Sequence, residues 1–382
     1  MTTKRRSTWI GTTILLMVGG SAASSQTIVT LRAPTATLTH DFSQIRGVRE
    51  LPDGRVLLTD RLEERLVVAD FASGRVQVIG RPGRGPLEYH LPTSLIPMSG
   101  DSTLLIDEGN SRLVVVTPAL TIARSFSLRI PGIGVALSAR AVDAQGRYYL
   151  QIPGWISNAR ERGDSVWVVR YDLRRATVDT IALIQGATTP PNRNDRQLGI
   201  PFVPFAPQDG WAAGADGRVA IVRANEYRVD WRSADGRMSP GIAVPSDRVP
   251  VTMADRVAFT RRFIANSPIG GRDPNGGMSA APAELLQEKT IREVAARNTF
   301  AAVMGPFTQA APLVAIDGTL WVERSGHVGT RSTWDVFDAA GRNVRRTTLP
   351  AGRRLVALGR ASAYLVATDD DGLERLERYA LR

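Results

Sequence analysis

The 382-residue chain contains no cysteine, and only His40, His90 and His327 are histidine. The lack of cysteine excludes a disulfide framework, a thiolate metal site, a cysteine nucleophile and a lipid anchor on cysteine. Three scattered histidines leave little material for a histidine-rich zinc site. Lysine is also scarce, because Lys4 and Lys289 are the only lysines among 48 basic residues. The formal net charge of +11 is therefore carried by arginine.

The arginines are dispersed along the chain, recurring singly near expected turns and strand ends. Nucleic-acid binding requires basic residues clustered on one face and interleaved with stacking aromatic side chains. A GC-rich genome, which favours arginine codons, accounts for such a bias without a functional cause. We therefore expect a solvated basic surface and no nucleic-acid partner.

Long apolar runs are missing as well, so no membrane-spanning helix is predicted. The first 25 residues instead have the pattern of an export signal, with basic residues at 4–6, an apolar stretch at 9–18 and small residues at 21–23. Cleavage between Ala23 and Gln26 would leave residues 26–382 as a periplasmic or secreted protein. The Arg5-Arg6 pair leaves the general and twin-arginine export routes both open.

A repeat of about 45 residues organises the rest of the chain. Turn anchors fall at positions 54, 101, 146, 217, 318 and 362, so three spacings are 47, 45 and 44 residues and two longer ones contain insertions. Each unit holds short β-branched and aromatic runs separated by tight-turn dipeptides such as Asp53-Gly54. Four short strands in each of six units predict an all-β protein, a six-bladed β-propeller.

The segments outside the repeat complete the predicted fold. Residues 28–38 precede the first unit and are expected to form an N-terminal strand that closes the last blade, which removes an exposed edge. In the interval 245–308, Thr252 and Asp255 form a capping-box pattern that opens a helix to about 265, and Pro282 opens another to about 297. We predict a small helical insertion between blades four and five. It is either a mobile hairpin over the channel mouth or a cap beside the ring.

The insertions indicate which face of the propeller carries function. With strands named a to d outward from the axis, the a–b and c–d turns are short and lie on one face. The elaborated b–c loops at 152–164 and 323–332 and the crossings at 185–210 and 245–308 lie on the other. Long loops on a rigid scaffold are where binding residues concentrate. We name this second surface the long-loop face.

The first two units share the pattern of an aspartate that ends one strand and an arginine that begins the next, Asp60 with Arg65 and Asp107 with Arg112. With the crossing at 80–89, this pattern resembles NHL-type repeats and TolB-like exported bacterial propellers. The resemblance implies a six-bladed fold and an exported setting, but not a function. We interpret both pairs as structural ion pairs, with ligand contact as the alternative.

Candidate ligand-binding residues lie on the loops and strand ends expected near the channel mouth. Aromatic and arginine side chains there could stack on a sugar or hold an anionic group, although Phe202 and Phe205 are expected only to pack the loops. The candidates are Glu88, Tyr89, His90, Trp155, Arg223, Asn225, Glu323, Arg324 and His327.

Two functions remain open at this point. The first is a monomeric binding module without cofactor or metal, whose long-loop face binds an envelope protein, a glycan or a small anionic ligand. The alternative is a lactonase-like hydrolase or lyase with calcium or zinc at the channel mouth, held by residues such as Glu88, His90, Asn225, Glu323 and His327. No catalytic residue can be assigned, because the chain has no paired histidines, nucleophile elbow or repeated acidic ring.

Overall fold

A computed structural model describes residues 27–154, 156, 163–190, 200–266 and 283–381. In chain order its elements are β1 (Thr27–Thr30), β2 (Ala36–Thr37), β3 (Ile45–Glu50), β4 (Val56–Asp60), β5 (Arg65–Ala69), β6 (Val76–Val78), β7 (Pro92–Pro97), β8 (Thr103–Asp107), β9 (Arg112–Val116), β10 (Ile122–Phe126), β11 (Ala141–Val142), β12 (Tyr148–Gln151), β13 (Ser165–Asp172), β14 (Thr177–Gln185), β15 (Gly210–Ala213), β16 (Val219–Arg223), β17 (Arg228–Arg232), β18 (Met238–Ser239), α1 (Met253–Asn266), α2 (Glu288–Arg297), β19 (Leu313–Val314), β20 (Leu320–Glu323), β21 (Thr333–Phe337), β22 (Asn343–Thr348), β23 (Arg353–Leu358), β24 (Ser362–Thr368) and β25 (Glu374–Ala380).

These strands form six sheets, five of four strands and one of five. The innermost strands β3, β7, β11, β15, β19 and β23 are neighbours in a closed circle. The prediction of a six-bladed β-propeller is therefore confirmed.

Blade one combines the two ends of the chain, because β2 enters the sheet of β23, β24 and β25. Blades two to five follow as β3–β6, β7–β10, β11–β14 and β15–β18, and blade six is β19–β22 with β1 added. Counted in this way, the helical insertion lies between blades five and six, not between four and five as predicted. The sequence analysis found the same six units but numbered them from the first complete repeat, so its number for each of these blades is one too low.

The N-terminal segment 28–38, predicted as one strand, forms two short strands in two different blades. Strand β1 pairs in parallel with β22, and β2 pairs antiparallel with β25. The Leu31 N–H donates to the Thr348 carbonyl, and the Thr35 N–H donates to the Arg378 carbonyl. Between these two anchors stands Pro34, which has no N–H to offer a ladder, so the chain changes sheets there.

Each gap between adjacent blades is filled by one apolar cluster. In the gap between blades two and three, Leu57 and Leu66 pack against Leu105 and Val114, all fully buried. Both faces of a central strand are covered, which explains why the middle strands read as continuous apolar runs rather than alternating ones. This packing fixes the strand ends that form the long-loop face.

The helical insertion is a cap with a small core of its own. Helix α1 begins with the predicted capping box, in which the Thr252 N–H and hydroxyl donate to Asp255 and the Asp255 N–H donates back to the Thr252 hydroxyl. Five phenylalanine rings from the crossing and the insertion lie with centroids 5.5–6.2 Å apart: Phe202, Phe205, Phe259, Phe263 and Phe300. The insertion therefore packs on the preceding crossing, and the two phenylalanines expected to pack loops do so.

Candidate functional site

A cavity of about 530 Å³ opens at the inner edge of the ring on the long-loop face. It lies where β3 and β7 begin, beside the segment that precedes β11 and the b–c loops that follow β4 and β8. Register places this region beside those loops, since Ile45 pairs with Asp60 and Pro92 with Asp107. We name it the axial cavity, lined by Arg46, Arg61, Thr93, Ser94, Ile106, Glu108, Ser138, Ala139 and Arg140.

Arg46 of β3 brings a positive charge to the axial cavity. Its side chain meets the water of the cavity but is surrounded by protein, and this desolvation lowers its pKa. Repulsion from Arg354 and Arg61 lowers the pKa further, against the attraction of Glu374 and Glu108. Arg354 itself is held in place, because its Nη2 donates to Glu374 Oε1 at 3.0 Å.

Arg61 and Glu108 occupy the same position in neighbouring blades, each directly after the buried aspartate that ends a b strand. Arg61 is only 9% exposed, and its Nε donates to Glu108 Oε2 at 3.2 Å. The Glu108 side chain is 46% exposed. The cavity wall thus contains one carboxylate beside its guanidinium groups.

Arg140 precedes β11 and is held by an aromatic ring. Its guanidinium carbon lies 5.3 Å from the centroid of Trp211, which is 1% exposed and donates from Nε1 to Gln151 Oε1 at 3.0 Å. Desolvation lowers the pKa of Arg140. Across the described ranges, no carboxylate lies within ion-pair distance of Arg140. Stacking fixes its position while leaving its N–H groups available.

The axial cavity therefore offers guanidinium donors in a partly desolvated space. Planar guanidinium groups match carboxylate and phosphate oxygens with paired hydrogen bonds. Hydroxyl groups of Thr93, Ser94 and Ser138 and the apolar side chains of Ile106 and Ala139 complete the wall. This composition is suited to a small anion that carries further polar and apolar groups.

None of the predicted site residues that the structure describes lines this cavity. Glu88 instead folds the crossing between blades two and three. Its carboxylate accepts from the Gly85 N–H at 2.7 Å and from Arg81 Nε at 2.8 Å. The hydrogen bond from Gly85 is the largest cause of a lowered pKa of Glu88, and the contact with Arg81 adds to it. Glu88 is a loop-stabilising residue.

The placement of Tyr89 at the channel mouth is wrong. Its side chain is fully buried, and its hydroxyl donates to the Ile79 carbonyl and accepts from the Leu66 N–H. The apolar ring fills the gap between blades two and three. His90 follows it and directs Nδ1 to Glu64 Oε2 at 2.9 Å. Both residues brace the crossing.

The guanidinium groups of Arg223 and Arg324 form ion pairs inside blades five and six. Arg223 donates to Asp209 and Asp230, both at 2.9 Å. Arg324 donates to Asp335, which is fully buried, at 2.8 Å. Charge pairs of this depth orient the strands and leave little capacity for a ligand.

The aspartates of blades two and three are similarly structural. Asp60 and Asp107 are fully buried, and Arg65 and Arg112 approach them at 3.4 and 2.7 Å. Each aspartate also accepts hydrogen bonds from one or two backbone N–H groups that lie just before the innermost strand of its own blade, β3 or β7. These contacts favour the structural interpretation over ligand contact.

The remaining candidates lie beneath or beside the cap. Glu323 accepts from the hydroxyls of Thr308 and Ser332. His327 places Nδ1 2.9 Å from Asp255 Oδ2, which ties the b–c loop of blade six to α1. Asn225 is exposed on the b–c loop of blade five.

A metal centre finds no suitable donor set in the part of the chain that the structure describes. There, no three histidine, aspartate or glutamate side chains are grouped so that they could hold a metal ion. Around the axial cavity, guanidinium groups would repel a cation rather than ligate it. The side chains present there do not fit calcium or zinc.

Trp155 lies outside the described residues.

Sequence reasoning missed Arg46, Arg61 and Arg140 because nothing in their local sequences distinguishes them from other dispersed arginines. Pairing of β3 with β4 brings Arg46 beside Arg61, 15 positions along the sequence, and the packing of consecutive blades brings Arg140, a further 79 positions along, to the same cavity. The sequence signal that could have identified them is their position. Arg46 and Arg61 stand where two neighbouring strands meet the long-loop face.

No model of a known protein family matches the chain, and no curated protein matches it. Solved structures similar to it include regucalcin, a calcium-binding protein from Agrobacterium tumefaciens (13% identity, 93% of this chain, 97% of that one, TM-score 0.41). They also include a gluconolactonase from Xanthomonas campestris (11%, 92%, 97%, 0.45) and virginiamycin B lyase from Staphylococcus aureus (11%, 89%, 97%, 0.41). At these identities the likeness concerns the fold alone.

Neither described helix is long and apolar enough to cross a membrane.

Proposed function

We propose that the protein is an exported binding module whose long-loop face holds a small anionic ligand in the axial cavity. The observation that carries this proposal is the convergence of Arg46, Arg61 and Arg140 on one cavity. Export is supported by the signal-peptide pattern of residues 1–25, which lies outside the described residues. An envelope protein or a glycan that presents an anionic group would use the same chemistry.

Electrostatics favours such a ligand. Arg46, Arg61, Arg140 and Arg354 surround the cavity region, against the two carboxylates Glu108 and Glu374. Desolvation and mutual repulsion lower the pKa of Arg46, so its charge is held at a cost that an anion would relieve. Each charge-assisted hydrogen bond contributes about 1.5–3 kcal/mol.

Preorganisation supports binding in the same place. Trp211 holds Arg140, and Glu108 holds Arg61, before any ligand arrives. A site whose side chains are already ordered loses less conformational entropy when the ligand binds. The blades beneath are rigid, because each gap between them is filled.

A divalent-cation-dependent lactonase or lyase is the competing function. It requires oxygen or imidazole ligands at the channel mouth. The side chains around the axial cavity do not supply them, and so we favour the binding module without a cofactor.

The test uses the protein starting at Gln26 and measures thermal stability and calorimetric binding. Sulfate, phosphate and acetate are titrated in one series, calcium and zinc in another. Anions should raise the melting temperature in a saturable way, since a ligand of the native state stabilises it. Arg46→Gln should weaken this binding about tenfold, equivalent to about 1.4 kcal/mol.

Arg237→Gln is the matched control, because Arg237 is 87% exposed on a c–d turn of the opposite face. It removes the same charge and should leave binding unchanged. Equal loss in both variants would reduce the effect to net charge and overturn the proposed site. Saturable binding of calcium or zinc at one ion per chain would instead support the metal-dependent alternative.

A further inference from the structure

The wall of the axial cavity contains a single carboxylate, that of Glu108. Its Oε2 accepts from Arg61 Nε at 3.2 Å, whereas Oε1 accepts no hydrogen bond within the described residues. The side chain is about half exposed, so it faces the cavity rather than the core. Arg61 stands at the equivalent position one blade earlier, and so one positive and one negative group lie side by side at this part of the mouth.

Resting on the proposed function, we infer that Glu108 determines specificity by selecting ligands that carry one anionic group together with a hydrogen-bond donor. The anionic group binds to the guanidinium groups of Arg46 and Arg140. A hydroxyl or ammonium group of the same ligand donates to Glu108 Oε1. The shared chemistry is therefore a small carboxylic acid with a hydroxyl or ammonium substituent.

The physical reason is the sign of the charge that a ligand brings to each wall. Glu108 and Arg46 line the same cavity, so both groups act on one ligand of modest size. A second negative charge on the ligand would face Glu108 in a partly desolvated space, where repulsion is stronger than in water. A neutral or positive donor would satisfy the open oxygen instead. Thr93, Ser94 and Ser138 provide further hydroxyl partners on the same wall.

The structural alternative is that Glu108 serves only to hold Arg61. Glu108→Gln separates the two roles, because the amide oxygen can still accept from Arg61 while the negative charge is removed. Since the side chain is about half exposed, the substitution should leave the fold intact. Its melting temperature is measured first as a check.

The experiment measures dissociation constants calorimetrically for four probes at neutral pH. Propionate is a plain monoanion, lactate adds a hydroxyl, alanine adds an ammonium group, and malonate is a dianion. Wild-type protein should bind lactate or alanine more tightly than propionate, and malonate most weakly. The stronger of lactate and alanine identifies the donor.

In Glu108→Gln, malonate should bind at least about tenfold more tightly relative to lactate than in wild type, which corresponds to about 1.4 kcal/mol. Glu226→Gln is the matched control. Glu226 also lies on a b–c loop and pairs with an arginine, Arg228, but it is outside the cavity. It should leave the ratio of the two constants unchanged.

The outcomes separate this inference from the proposed function. If Arg46→Gln weakens every probe but Glu108→Gln leaves the malonate-to-lactate ratio as in wild type, the cavity binds anions and Glu108 does not select them. If wild-type protein binds none of the four probes at any attainable concentration, both are overturned. If Glu226→Gln shifts the ratio as much as Glu108→Gln, surface charge and not the cavity wall sets the preference.

Discussion

The two halves of the long-loop face use their loops in opposite ways. Beside blades five and six, side chains of the long crossings pack on one another in the phenylalanine cluster around Phe259. Hydrogen bonds such as those of Asp255 hold this packed region to blade six. Beside blades two and three, the b–c loops are short and leave the axial cavity open. Long loops can bury their own side chains, whereas short loops leave strand-end side chains such as Arg46 exposed. The length of a loop is therefore a poor guide to the location of a cavity.

The largest expected effect is a loss of stability in the packed half of the long-loop face, beside blades five and six. Phe259→Ala should lower the free energy of unfolding by about 3 kcal/mol, because it removes a ring that contacts four other phenylalanines. Chemical denaturation measures this loss. Anion affinity at the axial cavity should stay within about twofold. A parallel fall in affinity would show that the two halves of the long-loop face are coupled and do not act independently.

The connection between the cap and blade six predicts acid sensitivity. Asp255 is 2% exposed, and its pKa is lowered to about 2 although desolvation alone would raise it, since Thr252, Val328 and His327 all donate to it. Because the folded pKa lies below the unfolded value of 3.8, the carboxylate stabilises the fold above about pH 4. That contribution, about 2 kcal/mol, is lost as the pH falls from 4 to 2.

Asp255→Asn should therefore reduce stability by about 2 kcal/mol at pH 7 and flatten the pH dependence between 4 and 2. Urea denaturation at several pH values measures both quantities. Asp370→Asn, which changes an exposed carboxyl on the turn between β24 and β25, is the control. An unchanged slope in Asp255→Asn would contradict the assignment of this acid response to the cap.

On the open half, Arg140→Lys tests the geometry of the cation rather than its charge. Lysine keeps the positive charge but lacks the planar guanidinium group that lies over Trp211 and can form paired hydrogen bonds. Anion affinity should fall by about fivefold, close to 1 kcal/mol, with little change in melting temperature. Calorimetric titration with lactate measures it. Wild-type affinity in the lysine variant would mean that only net charge matters at this wall.

The smallest effect is expected at Asn225, which the position of the loops indicated as a candidate ligand-binding residue. Asn225→Ala should change neither stability nor anion affinity by more than about 0.5 kcal/mol, since the side chain is exposed and away from the cavity. The same assays apply. A loss of binding here would move the site toward blade five.

The fold was predictable because its signals are local. Dipeptides such as Asp53-Gly54 and Asp216-Gly217 form turns in which the Arg55 and Arg218 N–H groups donate to the aspartates. Gly54 has a φ of +85°, a conformation that glycine adopts without strain. Such turns mark strand ends at regular spacing, which is enough to count the repeats. The capping box of α1 was recognised for the same reason.

The candidate site was not predictable in this way, because its parts are distant in sequence and ordinary in type. Tyr89 and Glu88 stand on an attractive loop, yet one fills a gap between blades and the other folds the crossing. Arg223 occupies the position of Asp60 but is paired with Asp230 on the next strand. Whether a charged side chain is paired depends on neighbours that only the folded chain brings near.

The sequence by itself determined the number of blades, the face on which the loops lie and the start of the helical cap. Tertiary structure alone decided which arginines line the axial cavity. Closure of the ring places Arg46 near Arg354, although the two residues are some 300 positions apart, and the packing of blade five on blade four places Arg140 over Trp211. Local patterns encode turns and strands because hydrogen bonds and backbone preferences act over a few residues. Electrostatic environment is set by every group within several ångströms, and in a closed ring those groups come from several blades.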